Sequence, residues 1–302
     1  MMVSNRGSTL GLVRWQSANV ALFAAAATLV VVFHEAHDWF AVPHLFAVPA
    51  LPVAVVGGAL GIFVSFRTNS AYDRWWEGRK LWGRLINTSR HFSTQVVSWV
   101  EDAQLAAELV HRQIAYVHTL RVLLRQQDLT ADPDVQRWLT EEERVTVPPQ
   151  TNPTHALLQT QSLRLTALAN AGRLGEHRLQ NLDNSLLHLL DIQGGCERIK
   201  KTPLPRGYGF IAEQLIRAYS VLLPFAIVDD LVWLTIPVNV LICLAFMLIG
   251  EAGRVLEDPF TMFWNGLPLT QMAVTIEVNL LQRLGETELR PVPGPDENGI
   301  LM

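Results

Sequence analysis

The stretch GALGIFVSFRTNSAYDRWWEGRKLWGRLINTSR, residues 58–90, passes from an apolar run without a single charge into a collar of cations and aromatic rings. Arg67, Arg74, Arg79, Lys80, Arg84 and Arg90 alternate there with Tyr72, Trp75, Trp76 and Trp82. Cations and indoles gather where an apolar helix leaves the hydrocarbon, because charge is costly inside a bilayer and an indole ring favours the headgroup layer. The stretch therefore reads as the inner end of a membrane span, with Phe66 its last apolar residue and Arg67 on the cytoplasmic side.

Working outward, four apolar segments emerge: 18–33, 46–66, 210–228 and 231–249. A hydrocarbon core of about 30 Å takes roughly 20 helical residues to cross. The second and fourth segments meet that length, the first is slightly short, and the third is diluted by Glu213 and Arg217. Lys and Arg are absent from 34–66 and from 218–253, so all 24 of them fall in the N-terminal segment, in 67–217 or after 253. The positive-inside rule makes those parts, and both termini, cytoplasmic. The outside keeps two short connections carrying Glu35, Asp38, Asp229 and Asp230. Buried helices of a soluble protein would not sort their flanking cations to one side.

Composition agrees: 49% of the 302 residues are hydrophobic and 17% charged, and the net charge of -4 argues against nucleic acid as a partner. Cys196 and Cys243 form no disulfide framework and no zinc spacing, and no cofactor or metal is expected. The segment MMVSNRGSTLGLVRWQ lacks a cleavage site and reads as retained. The expected organisation is an all-α membrane protein: an N-terminal segment with spans one and two over 1–66, a helical cytoplasmic region over 67–209, spans three and four over 210–250, and a cytoplasmic C-terminal helix and tail over 251–302.

Within the cytoplasmic region, Leu105, Leu109, Ile114, Val117, Leu120 and Leu124 recur at helical spacing, and helical periodicity resumes over 162–192. Between them, 128–160 reads as a surface excursion with a short helix near 135–139. Glu141, Glu142 and Glu143 read as a solvated helix face, and the tail 291–299 as disordered. Asn69, Asp73 and Arg74 are placed just past the end of the second span, and Pro224 and Pro237 predict kinks in the third and fourth. His34 and His37 read as interfacial polar residues rather than metal ligands.

No catalytic signature is present: no G-x-S-x-G, phosphate-binding loop, dinucleotide fingerprint or H-E-x-x-H. Two readings remain for the second span. Gly57, Gly58 and Gly61 suit close packing between membrane helices. Gly58, Ile62 and Phe66 also lie four apart on one face. Copies of that face around an axis would make successive rings, with Ile62 and Phe66 an apolar constriction able to gate by dewetting and Gly58 a wider ring outside it.

The collar FRTNSAYDRWWEGRKLWGRLINTSR resembles the bestrophin family, in particular its bacterial branch. So do DIQGGCERIKKTPLP at 191–205, EDPF at 257–260 and TIEVNLLQRLGE at 275–286, and together the four blocks cover almost the whole chain. The resemblance implies a homopentameric ion channel in the bacterial inner membrane, four membrane helices per subunit, and one axial pore lined by the second. By position, its neck falls on Gly58, Ile62 and Phe66, with Gly58 in place of the usual bulky residue. It also implies a second constriction at the cytoplasmic exit, near Leu179, Gln180 and Leu182. Animal bestrophins follow Asp-Pro-Phe with an acidic cluster that binds Ca²⁺. Here Thr261 to Gly266 contain no carboxylate, so no calcium clasp is expected.

Four helices per chain are too few to enclose an aqueous path, so a channel requires an oligomer in the lipid bilayer. The charge-free second span leaves selectivity to the mouths. Repeated outer carboxylates favour monovalent cations such as Na⁺ and K⁺; chloride is the first alternative and a non-conducting membrane scaffold the second.

Overall fold

The computed structural model describes residues 1, 14–40, 48–297 and 299–301, with side chains apart from those at 37–40, 206 and 208. The described residues form helices and connections, without a β-strand. They fall into two compact units.

The membrane unit comprises 6–74 and 203–257. It holds α1 (Ser17–Phe40), the first half of α2 (Ala50–Trp99), α8 (Arg206–Leu231) and α9 (Thr235–Leu256). Among the described residues three stretches are long and apolar enough to cross a membrane, and the third, Gly209–Leu256, is folded back on itself by a 3-10 turn over Val232–Leu234. That makes four membrane helices. Residues 34–40, assigned from sequence to an outer connection, continue α1 because nothing before Pro43 breaks a helix.

Two prolines fall in α8 and α9. Pro237 sits in the first turn of α9, where the backbone N–H has no partner to lose. Pro224 lies inside α8 and so cannot donate to the carbonyl four residues back, that of Ser220. The Asn239 amide fills the gap: Nδ2 donates to the Ser220 carbonyl at 3.1 Å and to that of Phe23 at 2.9 Å. One fully buried polar side chain of α9 thus ties down α1 and α8. In lipid such a group must find a partner within the protein.

The second unit comprises 1–5, 75–202 and 258–302. It contains the second half of α2, α3 (Ala103–Leu124), α4 (Pro133–Trp138), α5 (Glu141–Thr146), α6 (Pro153–Asn170), α7 (Glu176–Lys201) and α10 (Leu269–Leu284). Its axis is α3. The apolar positions read from sequence are there, with Leu109, Ile114, Val117, Leu120 and Leu124 buried and Leu105 half-buried, but most of the residues between Leu109 and Leu124 are buried too. A helix enclosed on every side must pair its polar groups. Gln113 Nε2 donates to Ser89 Oγ at 2.9 Å, Arg112 pairs with Glu108 at 2.9 Å and with Glu143, and Arg121 pairs with Asp132 at 2.8 Å.

Glu143 corrects the reading of the three-glutamate run. Glu141 and Glu142 are exposed, but Glu143 is buried: it closes a capping box with Thr140 and reaches Arg112. Burial alone would lift its carboxyl, but the Arg112 and Thr140 hydrogen bonds outweigh that and hold it below the ordinary carboxylate range. Asp134 is likewise held low, burial being offset by Arg290, His118 and Arg121. A carboxylate depressed in the folded state stabilises fully above its unfolded pKa, about 4, and loses that contribution as pH falls through the lower folded value. Thermal stability in detergent is therefore expected to hold from pH 7 to about 5 and to fall steeply below 4. A flat profile down to pH 3 would contradict these pairings.

Cys196 and Cys243 are both buried and free. Burial, with Glu197 and Glu77 adding, pushes the Cys196 thiol up to about 12, which makes it an inert core residue.

The candidate pore-lining face of helix α2

Helix α2 runs for 50 residues without a break, so Asn69, Asp73 and Arg74 lie within it rather than past its end. The cause is legible: its one proline, Pro52, sits in the first turn, and the collar residues that follow Phe66 are all compatible with a helix. Leaving the hydrocarbon does not end a helix that has somewhere to pack. Arg67 Nη2 pairs with Glu257 Oε1 at 2.7 Å, and Arg74 Nε donates to the Glu257 carbonyl at 2.6 Å. Further along, Trp75 Nε1 donates to the Asn265 carbonyl at 2.9 Å, and Gly78 lets Pro259 and the buried Phe260 approach the helix backbone. Asp258 is engaged by Lys200 at 2.6 Å. The collar and the EDPF element therefore serve as packing and ion-pairing elements.

Within the membrane unit the two sides of α2 differ sharply. Val53, Gly57, Leu60, Val64 and Ala71 form a buried ridge. On the opposite side Leu51, Val55, Gly58, Ile62 and Phe66 are exposed; Ile62 is 61% and Phe66 67% accessible. At 100° per residue, these five fall within about 40° of Ile62. The stripe then turns polar, through the exposed Asn69 and Asp73.

The glycines divide between the two readings of the sequence. A side chain at Gly57 would strike the Tyr219 hydroxyl, and one at Gly61 would touch Phe246 at 3.4 Å, so both serve helix packing. Gly58 faces open space, with nothing within 4 Å of where a Cβ would stand. It is the member of the trio that belongs to the exposed stripe.

The other candidate residues are placed as follows. Leu182 is fully buried in the core of the second unit and cannot form a wall of any opening, a correction to its reading as a constriction. Leu179 and Gln180 line a groove of about 300 Å³ between α6 and α7, Leu179 half-buried and Gln180 exposed. The helix register explains this: Leu182, Ser185, Leu186 and Leu189 form the buried face of α7. At the other end of the spans, Asp229 and Asp230 are exposed, and His34 Nδ1 lies 3.5 Å from Asp229 Oδ1. Glu35 is half-buried, and the side chains of His37 and Asp38 lie outside the described residues. Among the described residues no group of three or more His, Cys, Asp or Glu is arranged to hold a metal.

Residues 1–282 match the family described as Bacterial/Fungal Bestrophin protein. The chain belongs to this bestrophin family. It is 33% identical to the voltage-dependent anion channel-forming protein YneE of Escherichia coli K12, over 82% of this chain and 81% of that one. It is 30% identical to the voltage-dependent anion channel-forming protein sll1024 of Synechocystis, over 89% of each. Among solved structures, the bacterial bestrophin homolog from Klebsiella pneumoniae superposes with a TM-score of 0.82 at 30% identity, covering 90% of this chain and 98% of that one. The all-helical architecture with several apolar spans is thus the bestrophin fold in a multi-pass membrane protein.

Proposed function

We propose that this bestrophin is an ion channel, not an enzyme, in which copies of the chain, five by resemblance, surround a pore lined by α2. The observation that carries this reading is the unbroken exposed stripe Leu51–Val55–Gly58–Ile62–Phe66 opposite a buried ridge on one helix. A water-facing polar lining is absent from the stripe, so Ile62 and Phe66 act as a hydrophobic neck that gates by dewetting, and Gly58 leaves its outer ring wide. The channel sits in the bacterial inner membrane, with both termini in the cytoplasm, as the one-sided distribution of Lys and Arg supports. A cytoplasmic constriction, if α7 supplies one, falls to Gln180 and its exposed neighbours.

The permeant species are monovalent cations. Support comes from the exposed carboxylates Asp229 and Asp230 at the outer turn, where neither connection carries a Lys or Arg. Anion permeation is the second reading, and the names of the relatives favour it. Reversal potentials of the reconstituted protein under an NaCl gradient decide between them: a reversal near the Na⁺ equilibrium potential is expected, and one near that of Cl⁻ replaces the cation reading with the anion one. Liposomes that pass no ions would leave the protein a scaffold.

A further inference from the structure

We propose that Asp73 supplies the carboxylate ring that biases this channel toward cations, at the inner side of the neck; the inference rests on α2 lining the pore. Asp73 lies seven residues beyond Phe66 on an unbroken helix, about 10 Å along the axis at 1.5 Å per residue. Eleven residues separate it from Ile62, which brings it to within about 20° of the Ile62 direction. It is therefore on the stripe, and it is exposed.

Its neighbours leave it free. The two cations closest to it in sequence on the membrane unit are turned away and engaged: Arg67 pairs with the Glu257 carboxylate, and Arg74 donates to the Glu257 carbonyl. Among the described residues Asp73 itself has no hydrogen bond or ion pair. An exposed carboxylate without a partner on the one face that faces an ion path is the first charge an ion meets inside the constriction. Repetition around an axis places one such charge per subunit on a single level, and low-dielectric walls focus the resulting field.

Distance decides against the cations further along the same side. Lys80 and Arg84 lie about 20 and 27 Å from Phe66 along the helix, and Lys80 is paired with Glu77 at 2.8 Å. The Debye length at physiological ionic strength is about 8 Å. Asp73 acts on the neck within little more than one such length, whereas Lys80 and Arg84 are more than two away. The solvent-bathed outer carboxylates are screened in the same way, so Asp73 contributes more to selectivity than Asp229 or Asp230.

The experiment measures reversal potentials of the purified full-length protein in planar bilayers under asymmetric NaCl, for the wild type, Asp73→Asn, Asp73→Lys and Ile62→Ala/Phe66→Ala. Elution of each variant at the wild-type oligomer size controls for folding. Asp73→Asn is expected to reduce the Na⁺/Cl⁻ permeability ratio several-fold and Asp73→Lys to move the reversal toward the Cl⁻ potential. The wild-type preference should also weaken from 0.05 to 1 M salt, about the range over which the Debye length shrinks from beyond to well below the Asp73–Phe66 spacing. If both Asp73 variants keep the wild-type reversal while the Ile62/Phe66 variant changes conductance, the assignment to Asp73 is overturned and the pore stands. If none of the variants changes conductance or reversal, the pore-lining reading falls with it. A wild type that reverses at the Cl⁻ potential overturns the Asp73 assignment together with the cation reading.

Discussion

Replacing Ile62 and Phe66 together by alanine raises single-channel conductance or open probability several-fold. Both side chains are more than half exposed on the protomer, so shortening them removes few contacts from the core and opens little cavity. On the proposed reading they contribute apolar surface at two successive levels of a narrow path, where water and ions are excluded. A fall of about 1.4 kcal/mol in a barrier is a tenfold increase in rate, and removing two apolar rings is expected to reach that scale. Gly58 supplies the reciprocal test: with open space around its Cβ position, Gly58→Leu should fold normally and lower the conductance by adding the missing ring. Gly57, one residue away, is the contrasting control, because a side chain there strikes Tyr219 and disturbs packing. Bilayer recording separates the readings. Unchanged currents in the alanine variant, accompanied by altered thermal stability alone, would return α2 to a purely structural role.

How far the sequence discloses this arrangement depends on which physical signal each feature uses. Membrane spans announce themselves by length and by the exclusion of charge, so four apolar segments can be read from residues alone. The face carrying Gly58, Ile62 and Phe66 follows from 3.6-residue periodicity and needs no structure. Helix ends within the polar region are harder. The exit from the hydrocarbon at Arg67 looks like a helix end, yet α2 continues to Trp99 because no proline or turn stops it and partners far along the chain, Glu257 and Asn265, receive its side chains. Long-range partners leave no local mark. The same holds for α3, whose charged residues mimic a solvated face while being buried against Glu143, Asp132 and Glu277. Glu143 is different: Thr140-x-x-Glu143 is a capping-box spacing visible in the sequence, and it could have been found. Leu182 shows the limit of carrying a constriction over by position, since a shift of one or two residues moves a side chain from the exposed to the buried side of α7.

Glu277→Ala is expected to be the most destabilising single change in the second unit. Glu277 is 1% exposed, and its Oε2 meets the fully buried His118 Nε2 at 2.8 Å and the Arg290 guanidinium at 2.5 Å. Arg290 in turn pairs with Asp134 at 2.6 Å. Through this carboxylate the tail after α10 is tied to the central helix α3, alongside the Glu286–His111 pair at 3.4 Å. Removing it leaves the fully buried His118 imidazole without that partner and strips the Arg290 guanidinium of one of its two carboxylates. Breaking one side of a buried pair costs about 3–5 kcal/mol, a large share of the 5–15 kcal/mol by which folded domains are typically stable. Replacing both partners by apolar groups would cost less, because the expense lies in polar groups left unsatisfied in the interior rather than in the lost attraction. The order of melting temperatures therefore carries the argument: wild type highest, Glu277→Gln lower, Glu277→Ala lowest, with Glu277→Ala/Arg290→Met recovering part of the loss. At roughly 2–4 °C per kcal/mol for a unit of this size, the alanine variant should melt some 10 °C below the wild type. A shift of only a degree, or a double variant less stable than Glu277→Ala, would show that the cluster is solvated and that the tail is held by its apolar contacts instead.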